Sequence, residues 1–239
     1  MQEMLVEWPA NRHLHLVRHA EARKNVEDRQ GGQGTELTIR GIDQARRIAV
    51  RLNDYETSVG HKLVVLGHSA PQVQETMTAI SSAHRWPCAM DDNLRGIHLG
   101  SIDGLPADEA QRLDPVAVDR LEAWRQGRLR VDQVRLPGGE DFKEFRRRVA
   151  KALARSLYDY QGMCAVFVGT RSTLILLHNI LTLGKGFDYS RYVPYSFPNG
   201  FVSRWELSEG LARNDDQFAV PVAEPVPVGT VPSLRNPGS

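Results

Sequence analysis

Residues 13–25 read HLHLVRHAEARKN. The stretch opens with the short apolar run 13–17, which predicts a β-strand, and the pair Arg18–His19 follows where that strand ends. Two interpretations of a cation beside an imidazole at a strand end stay open. The first is a phosphate pocket with a nucleophilic histidine, and the second is an ordinary solvated loop.

Two later runs have the same character as the first strand. KLVVLG at 62–67 and CAVFVG at 164–169 are short and almost continuously apolar. Such runs are typical of strands that are buried on both faces of a parallel sheet. A further run, GFVSRWEL at 200–207, predicts a late strand.

Helical patterns lie between these strands. Thr38 is the predicted N-cap of a helix that follows the first strand, and Pro71 is suited to the first turn of a helix after the second. Residues 139–160 form a long amphipathic pattern, and residues 172–181 predict a buried helix that holds His178 in the core. The basic run at 146–148 is interpreted as the solvated face of the long helix.

The alternation of strands and helices predicts the fold class. We expect an α/β three-layer sandwich with a mostly parallel central sheet, in which the three apolar strands are adjacent and near the centre. The chain is divided into an N-terminal extension (1–12), a main domain (13–218) and a Pro-rich C-terminal tail (219–239) without periodicity. An insertion or lid is expected at about residues 100–136, where the helical pattern carries few large apolar residues.

Composition excludes several classes of partner. The 239 residues are 41% hydrophobic and 25% charged, with a formal net charge of +1, as in ordinary soluble globular proteins. The near-neutral balance gives no electrostatic reason to expect nucleic acid, and the longest apolar run is too short to span a membrane. Two cysteines cannot form a disulfide framework. We therefore predict a cytoplasmic protein.

Three polar segments follow the three apolar strands. They are Arg18–His19, GHSAP at 67–71 and GTRS at 169–172. Because ligands bind beyond the carboxyl ends of the strands in open α/β sheets, we expect these segments to meet at one site.

Several motifs link this chain to a known family. LVRHAEARKN followed by ELTIRGIDQA resembles the opening of the histidine phosphatase superfamily, the phosphoglycerate-mutase-like proteins. Later segments are similar to further motifs of that family and come in the expected order: APQVQETMTA, LRGIHLGSIDG, PGGEDFKEFRRRV and PNGFVSRWEL. The resemblance covers roughly Leu14 to Leu207 and implies the fold of the family.

The resemblance also implies a mechanism. In this family a histidine takes the phosphoryl group of a substrate and passes it to water or another acceptor. Two arginines and a second histidine hold the phosphate, and a carboxylic acid protonates the leaving oxygen. His19 matches the nucleophile, Arg18 matches the first phosphate-binding arginine, and Asn25 matches a polar residue of the pocket.

Three other positions depart from the family pattern. The alignment places Gln74 at the second arginine, Thr170 at the second histidine and Gly96 at the acidic glutamate. General acid–base catalysis contributes about 10²- to 10⁴-fold, and a transition-state charge stabiliser contributes about 10²- to 10³-fold. These losses argue against efficient hydrolysis by the usual arrangement.

Three neighbouring residues could compensate for the changed positions. His68, His98 and Arg171 each fall in a segment that we expect to line the pocket. The predicted binding set is therefore Asn25, Gln74, Thr170 and Arg171 around the Arg18–His19 pair, with His68 and His98 at the edge of the cavity.

Four functions stay open at this point. The first is a weakly active or inactive phosphatase-like protein that binds a phosphorylated or anionic small molecule. The second is an active phosphatase or phosphotransferase with a rearranged site, and the third is an enzyme of different chemistry in the same pocket. The fourth is a protein-interaction module that uses residues 105–135 or the Pro-rich tail. The predicted partner is an anionic small molecule, neither nucleic acid nor membrane is expected, and homodimerisation is left open.

No cofactor is expected. The His, Cys and carboxylate residues do not show the usual spacing of metal ligands. GGQG at 31–34 follows no predicted strand and opens no predicted helix, as a dinucleotide-binding loop would.

Overall fold

A six-stranded sheet runs through the computed structural model, which describes residues 12–29, 31–208 and 211–219. The strands in chain order are β1 (Arg12–Arg18), β2 (Leu63–Gly67), β3 (Cys88–Met90), β4 (Cys164–Gly169), β5 (Phe201–Ser208) and β6 (Leu211–Ala219). Their order across the sheet is β3-β2-β4-β1-β5-β6.

The first four strands of that order are parallel, and the last two are antiparallel. β4 pairs in parallel with both β1 and β2, and β2 pairs in parallel with β3. β5 runs antiparallel to β1, and β6 runs antiparallel to β5. The prediction that the three apolar strands are adjacent and central is therefore confirmed, and their carboxyl ends lie at one edge of the sheet.

Seven α-helices are present within the described residues, and six of them lie where the sequence has a helical pattern. They are α1 (Arg23–Val26), α2 (Ile39–Val59), α3 (Pro71–Ser82), α4 (Ala107–Leu113), α5 (Pro115–Arg125), α6 (Phe142–Asp159) and α7 (Arg171–Leu183). Thr38 caps α2 as expected, since its Oγ1 accepts a hydrogen bond from the Gly41 N–H at 3.0 Å.

Helices cover both faces of the sheet, which gives the predicted three-layer sandwich. The alternation of side chains along β1 directs Leu14 and Leu16 towards the layer of α6 and α7, and Val17 towards the layer of α2 and α3. α6 contributes Phe145 and Val149 to the first core, while α2 and α3 contribute buried residues to the second: Ile48, Leu52, Val73, Met77 and Ile80.

The segment predicted as an insertion or lid forms two short helices, α4 and α5. Its apolar residues make a small cluster of their own, in which Ala110, Ala117 and Leu121 pack with Leu99 and Ile102. Trp124, at the end of α5, packs against both this cluster and the main core. The role of a lid stays a prediction.

Two of the predicted segments extend past the described residues. Residues 1–11 of the extension and residues 220–239 of the tail lie outside them, whereas Ala219 ends β6. Among the helices that the structure describes, none has the length of apolar sequence that crossing a bilayer requires.

Candidate active site

A cavity of about 840 Å³ opens at the carboxyl edge of the parallel strands. Seven of the eight predicted site residues line it: Arg18, His19, Asn25, His68, His98, Thr170 and Arg171. The whole lining contains seven Lys or Arg and four Asp or Glu side chains, so the wall favours an anion. Gln74 is not part of the wall.

The position of Gln74 corrects the alignment of the α3 segment. Gln74 is exposed on α3, whereas Gln72 is 1% exposed and lines the cavity. Two residues along a helix are separated by about 200°, so only one of the pair can face the cavity. Thr76, four residues after Gln72, is buried and accepts a hydrogen bond from the Ala20 N–H at 3.1 Å. Gln72 therefore replaces Gln74 in the site, and it is again a glutamine rather than an arginine.

His19 is held in a single tautomer. Its Nδ1 lies 2.8 Å from the carbonyl oxygen of Ala20. A carbonyl oxygen can only accept, so Nδ1 carries the proton and the lone pair of the neutral ring is on Nε2. Burial, with the charges of Arg18 and Lys24, lowers the pKa of His19 to about 3. The ring is therefore neutral at pH 7 and has a free nucleophilic nitrogen.

Arg18 lines the cavity and has a hydrogen-bond donor without a partner among the described residues. One of its terminal nitrogens donates to the carbonyl oxygen of Phe197, while its Nε has no hydrogen-bond partner among the described residues. Burial and the neighbouring Arg171 lower the pKa of Arg18 to about 10, which leaves it charged at pH 7. An anion in the cavity would satisfy both the free donor and the charge.

Asn199 fixes the backbone around the nucleophile, a role that the sequence did not reveal. Its Nδ2 donates to the carbonyl oxygen of His19 and to Oδ1 of Asn25, at 3.1 Å in each case. Oδ1 of Asn25 also accepts the Ala22 N–H at 3.0 Å. Asn25 therefore joins the loop after β1 to the segment before β5. The PNG turn, residues 198–200, is the sequence signal that could have pointed to Asn199.

The changed positions Gly96 and Thr170 lie against each other. A Cβ added to Gly96 would fall 2.7 Å from Oγ1 of Thr170 and 2.8 Å from Oγ of Ser172. Oγ1 of Thr170 is in turn 3.2 Å from Oγ1 of Thr173. A side chain at position 96 would require these hydroxyl groups to shift, so the two changed positions are in direct packing contact.

Three of the four acidic residues of the wall are engaged with neighbours. Glu140 is paired with Arg148, and Oδ2 of Asp103 lies 3.6 Å from Nε2 of His98. Hydrogen bonds from Ser69 hold the pKa of Asp92 below its ordinary value. None of these three carboxyl groups stands in the apolar setting that favours an uncharged acid.

The two histidines predicted at the cavity edge differ in exposure. His98 is exposed, and its Nδ1 accepts the Gly100 N–H at 3.1 Å. His68 is 1% exposed and forms part of the buried wall, because the turn from β2 into α3 directs it inwards. His98 thus lies on the exposed part of the lining, whereas His68 lies on its buried part and not at the predicted edge. Among the described residues, no group of three or more His, Cys, Asp or Glu side chains is arranged to hold a metal ion.

Arg148 organises the loop that contains Gly96. Its guanidinium donates to the carbonyl oxygens of Asn93, Arg95 and Gly96 at 2.8, 2.8 and 3.0 Å. Two further bonds, at 2.6 and 2.7 Å, run to the carboxylate of Glu140. These five hydrogen bonds use all five N–H groups of the Arg148 guanidinium.

The interpretation of residues 146–148 as a solvated face is therefore wrong for two of the three arginines. The Arg146 guanidinium lies 4.3 Å from the ring centre of Phe187, and Arg148 is bound to the loop. Arg147 is exposed. Successive residues of a helix point about 100° apart, so a run of three cannot share one surface.

Replacement of Arg148 by lysine is expected to lower the free energy of unfolding by about 2–4 kcal/mol. Lysine keeps the charge but cannot reproduce the planar fork that binds Glu140 and three carbonyl groups. Urea unfolding of Arg148→Lys and of the matched surface variant Arg147→Lys measures the effect. Equal stability of the two variants would contradict this role.

The sequence of this chain is similar to sequences of known proteins over most of its length. The sequence model of the histidine phosphatase superfamily (branch 1) matches residues 14–213. A curated relative from Enterobacter sp. (strain 638), "Probable phosphoglycerate mutase GpmB", is 30% identical over 146 residues, which are 60% of this chain and 62% of that protein. The chain thus spans a little under two thirds of the length of such curated relatives.

Solved structures share the fold. YhfR of Bacillus stearothermophilus superposes with a TM-score of 0.71 at 26% identity, over 84% of this chain and 94% of that one. The alpha-ribazole phosphatase of Shigella flexneri gives 0.68 at 24% identity, over 90% and 98%. A mycobacterial glucosyl-3-phosphoglycerate phosphatase gives 0.69 at 22% identity, over 85% and 97%.

Proposed function

The chain belongs to the histidine phosphatase superfamily, and from this membership we propose that it binds a phosphorylated small molecule and hydrolyses it slowly through His19. The observation that carries the proposal is the pairing of two groups in one cavity: an unprotonated Nε2 on His19 and an unpartnered Nε–H on Arg18. The first can attack phosphorus, and the second can hold a phosphoryl oxygen.

The reaction has two steps. Nε2 of His19 forms a bond to phosphorus as the P–O bond of the ester breaks, and the leaving oxygen takes a proton from solvent. Water then attacks phosphorus, the N–P bond breaks, and inorganic phosphate leaves with the proton balance restored by solvent. Turnover is slow because Gln72, Thr170 and Gly96 stand where an arginine, a histidine and a glutamate would assist.

The size and lining of the cavity support a substrate larger than phosphate. Apolar and aromatic side chains line part of it: Leu136, Phe142, Trp124, Tyr192 and Tyr195. A phosphate occupies only a fraction of about 840 Å³, so the organic part of the ester lies against these side chains. The names of two structural neighbours, phosphatases of alpha-ribazole and glucosyl-3-phosphoglycerate, likewise describe phosphorylated small molecules.

Binding without turnover is the second candidate. The three changed positions favour it, because each removes a group that assists the chemical step more than ground-state binding. An open cavity of this size argues against a module that only contacts proteins. Localisation in the cytoplasm and a possible dimer are not decided by these features and stay predictions.

A screen of phosphorylated metabolites tests the proposal. Thermal shift and phosphate release are measured with wild type and with Arg18→Ala. We expect stabilisation by selected phosphate esters with slow release, both lost in Arg18→Ala. Stabilisation without release would favour the binding protein, and no response to any anion would contradict both candidates.

Phosphate release is expected to depend steeply on the leaving group. Without a positioned acid, an alkyl phosphate loses the about 10²- to 10⁴-fold that general acid catalysis contributes, whereas a nitrophenyl phosphate needs little protonation. Rates with a series of substituted aryl phosphates measure the dependence on leaving-group pKa. A flat dependence would show that another group, such as His98, supplies the proton.

A further inference from the structure

His68 is a buried histidine with one unused donor. It follows β2 and lines the cavity, and its side chain is 1% exposed. The Ala70 N–H donates to its Nδ1 at 3.3 Å, so Nδ1 holds the lone pair and Nε2 carries the proton of the neutral ring. That Nε2 has no hydrogen-bond partner among the described residues. A buried donor without a partner is unfavourable, and a ligand oxygen in the cavity would pair with it.

The charges around His68 keep it neutral. Two cations, Arg95 and Arg148, and one carboxylate, Asp92, interact electrostatically with its imidazole. Burial and the two arginines outweigh the carboxylate and lower the pKa of His68 to about 4. A proton on His68 would lower the pKa of His19 further, so the two imidazoles are close enough to interact.

Thr170 and His68 line the same cavity, and Thr170 is engaged with its neighbours. The family position of the second histidine holds Thr170, whose hydroxyl lies 3.2 Å from Thr173 and 3.4 Å from Ser172. The Thr170 hydroxyl is therefore engaged with two neighbouring hydroxyl groups. Among the described residues that line this cavity, His68 has a buried imidazole N–H without a hydrogen-bond partner.

We infer that Nε2–H of His68 donates a hydrogen bond to an oxygen of the phosphoryl group that His19 receives, in place of the histidine absent at position 170. The inference rests on the proposed function and names a further residue of that site. A neutral donor is weaker than a charged one, which is consistent with slow turnover. Its contribution should also stay constant between pH 6 and 8, since the ring does not titrate there.

Orthovanadate, a phosphate analogue, tests the inference in the full chain. His68→Leu is expected to weaken vanadate binding about tenfold and to lower kcat by a similar factor, as loss of one hydrogen bond predicts. His68→Gln, whose amide places an N–H near the same point, should recover most of both. His84→Leu, an exposed histidine outside the cavity wall, is the matched control. The ratio between wild type and His68→Leu should not change between pH 6 and 8.

Each result decides between the inference and the proposed function. Unchanged vanadate affinity in His68→Leu, or equal loss in the leucine and glutamine variants, overturns the role of His68 and leaves the phosphatase proposal standing. Vanadate binding that depends on His68 without phosphate release supports the donor and overturns turnover. A wild type that does not bind vanadate overturns both.

NMR keeps the test decisive if His68→Leu does not fold. In the wild type labelled with ¹⁵N-histidine, His68 should show the Nε2-protonated tautomer, and its Nε2–H signal should move downfield on addition of vanadate. A proton on Nδ1, or a signal that vanadate leaves unchanged, overturns the inference.

Discussion

Lowering the pH from 7 towards 4 is expected to unfold this protein. Four histidines, His15, His19, His68 and His178, are at most 3% exposed, and burial lowers their pKa values to about 3, 3, 4 and 4. In the unfolded chain the same groups titrate near the ordinary value of about 6.5. Below that pH the unfolded state binds more protons than the folded state, so stability falls as pH decreases.

The size of this loss of stability follows from the difference in proton binding between the folded and unfolded states. Each histidine that stays neutral in the fold removes about 1.4 kcal/mol of stability per pH unit below 6.5, until its folded pKa is reached. Four such groups would remove up to about 5 kcal/mol per unit, and typical domains have only about 5–15 kcal/mol to lose. That range of stability corresponds to about 1–3 pH units below 6.5, so the unfolding midpoint should lie between about pH 3.5 and pH 5.5.

Replacement of His15 gives the most direct test of this pH dependence. Neither of its ring nitrogens has a hydrogen-bond partner among the described residues, and its ring packs at 4.8 Å from that of Tyr55. Arg204 and His13 add to the effect of burial on its pKa. Phenylalanine should fit this setting without a proton-binding group.

Urea unfolding at pH 7, 6 and 5 measures the effect. His15→Phe should reduce the slope of stability against pH by about 1.4 kcal/mol per unit, and the exposed control His84→Gln should leave it unchanged. Identical slopes for wild type and His15→Phe would contradict the assignment.

The sheet could be predicted where its strands are buried on both faces. β2 and β4 are buried along their whole length, so their sequences are continuously apolar and easy to recognise. β3 has only three residues and two of them are exposed, and β6 has the polar sequence LARNDDQFA. Edge strands of this kind carry no apolar pattern, because only one side is paired and covered.

The candidate site could be predicted in part, and the register of α3 shows why. Gln72 and Thr76 have the same spacing as Gln74 and Thr78, so the motif fits either pair. Only the packing of α3 on the sheet decides which pair is buried. The stripe of Val73, Met77 and Ile80 places the first pair towards the sheet, and a count of apolar positions would have favoured it.

Hydrogen-bond tautomers could not be predicted from the sequence at all. His19 donates through Nδ1 to its neighbour's carbonyl, whereas His68 accepts through Nδ1 from the backbone two residues later. These opposite arrangements leave a free lone pair on one ring and a free N–H on the other. They depend on local backbone geometry, which residue type and order do not specify.

Replacement of His19 by alanine is expected to remove phosphate release altogether. The variant lacks the nitrogen that forms the N–P bond, and loss of a nucleophile costs on the order of 10³-fold or more. Arg18 remains, so stabilisation by inorganic phosphate in a thermal shift should persist. Phosphate release and a phosphoprotein that survives alkali but not acid, present in wild type and absent from His19→Ala, are the two measurements.

The pH profile separates this role from a merely structural one. A histidine with the ordinary pKa would lose its nucleophile below pH 6.5, whereas the pKa of His19 near 3 keeps Nε2 unprotonated throughout the folded range. With rates corrected for the titration of the phosphate ester, whose second pKa is about 6, phosphate release by wild type should therefore stay level from pH 8 downwards and fall only where circular dichroism reports unfolding. A decline near pH 6.5 while the fold persists, or phosphate release retained by His19→Ala, would place the nucleophile elsewhere in the cavity.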